Sequence, residues 1–239
     1  MTINLNKLSV KIFADGAETS VMKQMAANPL IKGFTTNPTL MKKAGVSNYE
    51  EFGRLIASEF KDYPLSLEVF ADDLSSMEAQ ARQLAAFGDN IYVKIPVTNT
   101  KGLSTAPLVH RLSREGIKVN ITAVMLLSQV QEMTEALEDG ISSYISIFAG
   151  RIADAGQDPL PLMQDALKTM QEKSSLELIW ASPRELFNVV QAHQIGCHII
   201  TATKEILSKL DLIGKDLKEY SLDTVKMFHR DAYEAGYTL

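Results

Sequence analysis

The chain has 239 residues, 46% of them hydrophobic, which is enough for one sizeable core and predicts a single domain spanning residues 1–239. A net charge of -5, without arginine or lysine clusters interleaved with aromatic residues, argues against nucleic-acid partners and favours small molecules and copies of the chain itself. One cysteine, Cys197, excludes an internal disulfide framework, and no apolar run approaches the ~20 residues that span a membrane, so we expect a soluble cytoplasmic protein.

Strand-like and helix-like segments alternate along the chain. The predicted strands are 11–15, 33–37, 65–70, 91–96, 117–124, 144–149, 176–181 and 197–203. The predicted helices are 18–27, 47–60, 74–86, 106–114, 128–140, 160–172, 183–196, 204–210 and 216–235. Ser47 with Glu50 predicts a capping box for the second helix, and Pro183 suits the first turn of the seventh.

Eight short strands separated by helices predict an α/β fold of the (β/α)8 TIM-barrel type with an additional C-terminal helix. The alternative is an open doubly wound sheet. Such a sheet normally carries a glycine-rich first turn, and the chain has none at the corresponding position.

Lys94 lies inside the apolar segment 91–97, which reads IYVKIPV. Burying an unpaired ammonium costs several kcal/mol and favours the neutral, nucleophilic amine. Such an amine can add to a carbonyl to form a Schiff base, so Lys94 is the candidate for covalent catalysis. The other interpretation places Lys94 at an exposed strand end, paired with a carboxylate.

Polar residues recur at the carboxyl ends of the predicted strands, where (β/α)8 barrels gather their functional groups. They are Asp15, Asn37, Glu68, Lys94, Asn120, Thr122, Ser146, Ser182 and Arg184. Each also has an ordinary explanation, such as a helix cap for Asp15 or an ion pair with Lys94 for Glu68. Together they suit imine chemistry, in which water is added and expelled and protons are moved several times.

A second group of residues predicts an anion site. Arg151 follows the sixth strand, and Ser182 and Arg184 follow the seventh, where barrels often hold a phosphate. Two guanidinium groups and a hydroxyl can bind a dianion. Arg184 is expected in the first turn of a helix, where the dipole disfavours a cation, so an anionic ligand gives a reason for it. The alternative is a solvated pair with Glu185.

Two motifs carry a resemblance to a known family. The segment 33–39, GFTTNPT, resembles the T-T-N-P segment of the transaldolase family, and 93–96, VKIP, resembles its Schiff-base lysine strand. The similarity runs from about Lys11 to Leu210, with the spacing of the short transaldolase-like and fructose-6-phosphate aldolase-like members.

The resemblance implies a role for each matching residue. Lys94 would form the ketose Schiff base, Asp15 would move protons during carbon–carbon cleavage, and Glu68 and Thr122 would position a catalytic water. The substrate-binding residues that it implies are Asn37, Asn120, Ser146, Phe148, Arg151, Ser182 and Arg184. No cofactor is implied, and the four histidines lack metal-ligand spacing, so we expect no metal.

Three residues bear on the branch of the family. Glu68 stands where the aldolase branch is expected to carry glutamine, and Phe148 where it is expected to carry tyrosine; both favour a transaldolase. Ile147 replaces a proline common before that aromatic residue, and the chain is shorter than the long transaldolases. A free-dihydroxyacetone aldolase is therefore the alternative.

The resulting interpretation is a transferase that moves a dihydroxyacetone unit between sugar phosphates in carbohydrate metabolism, on the pentose phosphate pathway. A non-catalytic sugar-phosphate-binding barrel, with Lys94 as a counter-ion, is the alternative from another class. The C-terminal helix, within 215–236, places apolar residues among charges and predicts packing either on its own barrel or on a neighbouring subunit.

Overall fold

Eight parallel strands pair side by side in chain order and close into a barrel. They are β1 Lys11–Asp15, β2 Ile31–Thr35, β3 Leu65–Glu68, β4 Ile91–Pro96, β5 Val119–Val124, β6 Ser143–Ile147, β7 Leu176–Trp180 and β8 Ile199–Ala202. The structure, a computed structural model, describes residues 5–239; residues 1–4, with which the predicted domain begins, lie outside that range. The predicted (β/α)8 fold is confirmed.

Helices lie between the strands and after the last one. They are α1 Thr19–Ala26, α2 Pro38–Lys43, α3 Tyr49–Glu59, α4 Leu74–Ala85, α5 Ala106–Arg114, α6 Leu127–Ala136, α7 Ala149–Asp154, α8 Leu160–Met170, α9 Phe187–Gln194, α10 Lys204–Leu207 and α11 Leu217–Glu234. Short 3-10 turns lie at Leu5–Lys7 and Leu210–Leu212.

Side-chain alternation along the strands fills the barrel interior and sets the height of the polar layer. Tyr92 and Tyr144 stack with ring centroids 4.1 Å apart, and Phe13 meets Tyr144 edge-on at 6.0 Å. Successive same-face residues lie two positions apart. Lys94 therefore lies one layer above Tyr92, and Ser146 one layer above Tyr144. The aromatic layer packs directly beneath these polar side chains.

Several predicted boundaries are wrong. Helix α3 is capped by Asn48, whose Oδ1 accepts from the Glu51 amide at 3.1 Å, so the cap is one residue after Ser47. Pro183 does not open a helix. The Asn188 side chain accepts from the amides of Arg184 at 2.8 Å and Glu185 at 3.2 Å, which holds that segment as a turn, and α9 begins only at Phe187.

Two helices were not predicted. Helices α2 and α7 have six residues each, too few for a helical periodicity to be recognised in the sequence. Helix α2 starts directly after the second strand, and α7 carries Arg151.

Helix α11 has eighteen residues and none of them is buried. Leu222, Val225 and Phe228 are 53%, 60% and 63% exposed and follow one another at a three-residue spacing. An isolated helix of this composition gains little from its own backbone, since helix stability in proteins comes mostly from packing an apolar face. Within residues 5–239, no helix is long and apolar enough to cross a bilayer.

Candidate active site

A cleft of about 490 Å3 opens at the carboxyl ends of the strands. All eleven residues that the sequence singled out line it, although they come from seven different strands or the loops that follow them. They are Asp15, Asn37, Glu68, Lys94, Asn120, Thr122, Ser146, Phe148, Arg151, Ser182 and Arg184. The geometry brings the predicted residues together, and their chemical roles stay predictions.

Lys94 is buried, with 6% of its surface exposed, and lies at the bottom of the cleft. Its Nζ donates to the carbonyl oxygen of Thr36 at 2.8 Å and lies 3.1 Å from Oε2 of Glu68. Glu68 is the residue paired with Lys94 across β3 and β4, so strand register brings the two groups together. The expectation of an unpaired amine is therefore wrong, because a carboxylate accompanies the burial. The amine has an acceptor for its proton within hydrogen-bond distance.

Asp15 ends β1 and lines the same cleft. Its Oδ1 accepts a hydrogen bond from the Thr35 hydroxyl at 2.8 Å. Burial raises the pKa of Asp15 above its ordinary value; the charge of Lys94 and the Thr35 hydrogen bond oppose that rise, and the nearby Glu68 charge adds to it. A carboxyl group with a raised pKa, facing a cleft, suits a role in proton transfer.

Asn120, Ser146 and Ser66 form a buried hydrogen-bonded row across three strands. The Asn120 amide nitrogen donates to Ser66 Oγ at 2.9 Å, and Ser146 Oγ donates to Asn120 Oδ1 at 2.7 Å. These bonds fix the orientation of the Asn120 amide, because its oxygen and nitrogen have different partners. The row presents oriented polar groups to the cleft beside Lys94, its register partner on β4.

Thr122 Oγ1 is buried and has no hydrogen-bond partner in the described part of the chain. A buried hydroxyl without a partner costs free energy unless a water or ligand satisfies it. Ala123 follows in the left-handed region with φ 62°, at an irregularity in the pairing of β5 with β6. This backbone, unfavourable for an alanine, lies on the cleft wall beside the unsatisfied hydroxyl.

The anion-site residues meet at one end of the cleft. Arg184 Nε donates to Asp154 Oδ1 at 2.9 Å, its Nη2 pairs with Asp154 Oδ2, and its Nη1 donates to Ser182 Oγ at 3.1 Å. The guanidinium of Arg151 lies 5.6 Å from the centre of the Phe148 ring. The Arg184 guanidinium holds the pKa of Asp154 below its usual range.

The predicted surroundings of Arg184 are wrong in two respects. Arg184 precedes α9 by three residues, so no helix dipole acts on it as expected, and its partner is Asp154 rather than Glu185. Asp154 lies 30 positions away on α7, one turn beyond Arg151. The Asp154 carboxylate therefore connects Arg184 to α7, the helix that carries Arg151.

Asn37 has a structural task as well as a place in the cleft. It caps α2, with Oδ1 accepting from the Leu40 amide at 3.0 Å. Pro38 occupies the first helical position, where its missing N–H is not needed. The capping bond fixes the Asn37 carboxamide so that its nitrogen remains as a donor.

Sequence reasoning missed several residues that contact the predicted site, among them Ser66, which accepts from Asn120. Thr35 and Thr201 line the cleft beneath Asp15, and Asp154 binds Arg184. The threonines end or interrupt apolar strands in the same way as the residues that were chosen, so their position was the available signal. Nothing local distinguishes Asp154 from other exposed acidic residues.

Solved structures resemble the chain in fold. A structure described as KGPDC from Streptococcus mutans has a TM-score of 0.58 at 12% identity, covering 84% of this chain and 90% of that one. One described as native KDPGal has a TM-score of 0.54 at 13% identity, covering 84% and 85%. Identities this low show the fold alone. By fold, the chain is a (β/α)8 barrel with its polar cleft at the carboxyl ends of the strands.

Sequence comparison gives the family. The family model described as Transaldolase/Fructose-6-phosphate aldolase matches residues 12–239. A probable transaldolase of Methanococcus maripaludis is 35% identical over 202 residues, covering 84% of this chain and 89% of the relative. Probable transaldolase 2 of Listeria monocytogenes is 36% identical over 202 residues, covering 84% and 88%. The chain belongs to the transaldolase/fructose-6-phosphate aldolase family, and the family resemblance drawn from the sequence is confirmed.

Proposed function

We propose that the protein is a transaldolase that moves a dihydroxyacetone unit from a ketose phosphate to an aldose phosphate through a Schiff base on Lys94. One observation carries the proposal: a buried amine faces a cleft with a carboxylate 3.1 Å from its nitrogen and a second carboxylate close enough to influence it. Membership of the family supports an enzyme of the aldolase or transaldolase type.

The first step uses the Lys94–Glu68 contact. Glu68 takes a proton from Nζ, and the nitrogen lone pair adds to the C2 carbonyl of the ketose, forming a carbon–nitrogen bond while the carbonyl oxygen gains a proton. Glu68 then returns a proton to that hydroxyl, which leaves as water and gives the protonated imine. The unsatisfied hydroxyl of Thr122 supports a water beside Glu68 as the carrier of these protons.

Bond cleavage follows from the imine. Asp15 takes the proton of the C4 hydroxyl, the C3–C4 bond breaks, and its electron pair flows into the protonated imine to give an enamine. The C4 fragment leaves as an aldose phosphate. In the transfer half, the enamine attacks the aldehyde carbon of the acceptor, Asp15 returns its proton to the new hydroxyl, and hydrolysis frees Lys94.

The remaining cleft residues suit a phosphorylated sugar. Ser182, Arg151 and Arg184 offer a hydroxyl and two guanidinium groups at one end of the cleft, opposite in charge to a phosphate. Asn37, Asn120 and Ser146 offer oriented polar groups to substrate hydroxyls.

The alternative within the family is an aldolase that protonates the enamine and releases free dihydroxyacetone. Phe148 favours the transaldolase, because a phenyl ring at the cleft wall cannot deliver a proton to the enamine carbon. The test is an assay on a ketose phosphate with and without an aldose phosphate acceptor. Turnover that requires the acceptor supports the transferase, whereas free dihydroxyacetone formed without an acceptor at the same rate identifies an aldolase.

A non-catalytic sugar-phosphate-binding barrel is the alternative of another class. Borohydride reduces an imine to a stable amine, so an enzyme incubated with a ketose phosphate gains covalent mass at Lys94. A binding protein would gain none. Peptide mapping identifies the modified residue.

We also propose that the protein forms a homo-oligomer through α11. The exposed apolar residues Leu222, Val225 and Phe228 on a helix with no buried residue support this assembly. Sedimentation should give a mass well above the 26.4 kDa of one chain, and Val225→Asp together with Phe228→Asp should reduce it. A monomeric wild-type protein would contradict the assembly.

A further inference from the structure

Three oxygen atoms form a continuous hydrogen-bonded row beneath the cleft. Thr35 Oγ1 lies 2.8 Å from Asp15 Oδ1 and 2.5 Å from Thr201 Oγ1. The two threonines come from β2 and β8, the neighbours of β1 on its two sides. Thr35 is 2% exposed and Thr201 5% exposed. The row therefore spans three adjacent strands in a buried part of the barrel.

Counting protons gives the row a direction. A threonine hydroxyl has one proton, and an ionised carboxylate has none. When Asp15 is ionised, the proton of Thr35 must lie toward Asp15 Oδ1, and the bond between the threonines must be donated by Thr201. The hydroxyl dipoles then point one after another toward the negative charge, an arrangement in which each bond strengthens the next.

We propose that Thr35 and Thr201 are positioning residues for Asp15, which keep its Oδ1 occupied and leave Oδ2 to take the substrate proton. The inference rests on the proposed function, in which Asp15 is the general base. A free carboxylate can rotate and offer either oxygen. One fixed by a buried donor keeps a single oxygen and a single direction toward the reacting hydroxyl, which is the geometric requirement for proton transfer.

The row also acts on the charge state of Asp15. Glu68 on β3 and Lys94 on β4 are the charged groups that influence this carboxyl, Lys94 favouring the ionised form and Glu68 opposing it. Burial opposes ionisation most strongly and raises the pKa, while the Thr35 hydrogen bond lowers it. The Thr35 hydrogen bond therefore acts together with the charge of Lys94 in favouring the ionised base.

The test compares Thr35→Val and Thr201→Val with Thr35→Ser and Thr201→Ser. Valine keeps the shape of threonine and removes the hydroxyl, whereas serine keeps the hydroxyl. A hydrogen bond to an ionised group alters its pKa by roughly one to two units. In Thr35→Val, the acid limb of the kcat/KM profile should therefore shift to higher pH by about that amount. Thr201→Val should shift the acid limb in the same direction by a smaller amount. Both serine variants should keep the acid limb at the wild-type position.

A second readout separates this inference from the proposed function. Borohydride trapping of a ketose phosphate on Lys94 should persist in both valine variants, because imine formation uses Glu68 rather than Asp15. A wild-type enzyme that traps no ketose would refute the proposed function itself. Trapping with an acid limb unchanged in Thr35→Val would overturn the positioning role and leave the Schiff base intact. Failure of the serine variants to restore the limb would do the same, since it would assign the effect to packing.

Discussion

Alanine is predicted not to replace Gly150 without damage. The missing side chain of Gly150 lets α7, which carries Arg151, approach the loop of Ser182 and Arg184. A Cβ added at Gly150 would lie 1.7 Å from the Ser182 carbonyl oxygen and 3.3 Å from Arg184 Nε. In a helix, alanine is normally more favourable than glycine by about 1 kcal/mol, and Gly150 lies in the first turn of α7. Helix propensity and the steric contact therefore predict opposite effects for Gly150→Ala.

The magnitude of the contact decides the outcome. Cβ atoms essentially never come closer than 3.0 Å to a heavy atom, so the Ser182 carbonyl must retreat by at least 1.3 Å. That oxygen belongs to the backbone, so no side-chain rotation can relieve the contact. Ser182 is also already in the left-handed region, with φ 58°, which is unfavourable for a serine. Overpacking of this kind costs roughly 1–3 kcal/mol, which outweighs the propensity gain.

The displacement separates Arg151 from Ser182 and Arg184. A misplacement of about 1 Å in a positioning group can reduce activity about 100-fold. We therefore expect Gly150→Ala to raise KM for a ketose phosphate at least ten-fold and to lower Tm by a few degrees, while an unphosphorylated ketose keeps its weaker kinetics.

The matched control is Gly16→Ala, where an added Cβ meets no atom within 4 Å. Steady-state kinetics with both donors and differential scanning calorimetry measure the two effects. A Gly150→Ala enzyme with the wild-type KM for the phosphorylated donor would refute the reasoning.

Three further predictions concern other residues of the cleft. Asp154→Asn should raise KM for a ketose phosphate by up to about five-fold, since solvent screens an ion pair this exposed and limits its contribution to fixing Arg184; a lower KM would mean that Asp154 competes with the phosphate. Phe148→Tyr should increase release of free dihydroxyacetone without an acceptor, measured enzymatically, and no increase would remove Phe148 from the branch argument. Because burial raises the pKa of Asp15, the folded protein holds that proton more tightly, and ionising the group above its folded pKa costs stability. Asp15→Asn should therefore raise Tm at pH 7, with the gain disappearing below the ordinary value of 3.8, and a gain independent of pH would contradict this.

The barrel was predictable from the sequence because each strand is a short apolar run that ends on polar residues. Strand β4 was predicted with the bounds that the structure has, and Lys94 stands out there as a charge inside an apolar run. The position of a residue at a strand end was also enough to gather the cleft, since parallel strands in a barrel end at the same face.

Contacts between distant segments were not predictable. Asp154 reaches Arg184 across 30 positions, and Thr35 reaches Thr201 across 166, and neither distance leaves a local pattern. The start of α9 was placed too early because Pro183 suits a first helical turn, whereas the Asn188 side chain favours a turn instead. Side-chain bonds of this kind compete with helix formation and depend on the conformation finally adopted.

Reductive trapping at Lys94 tests the central claim most directly. Wild-type protein incubated with a ketose phosphate and borohydride should gain the mass of the reduced sugar adduct, with peptide mapping placing it on Lys94. Lys94→Met should gain none while keeping the circular dichroism spectrum of a folded barrel, because methionine fills a similar buried volume. Absence of the adduct in the wild type, or turnover at the wild-type rate in Lys94→Met, would contradict the account.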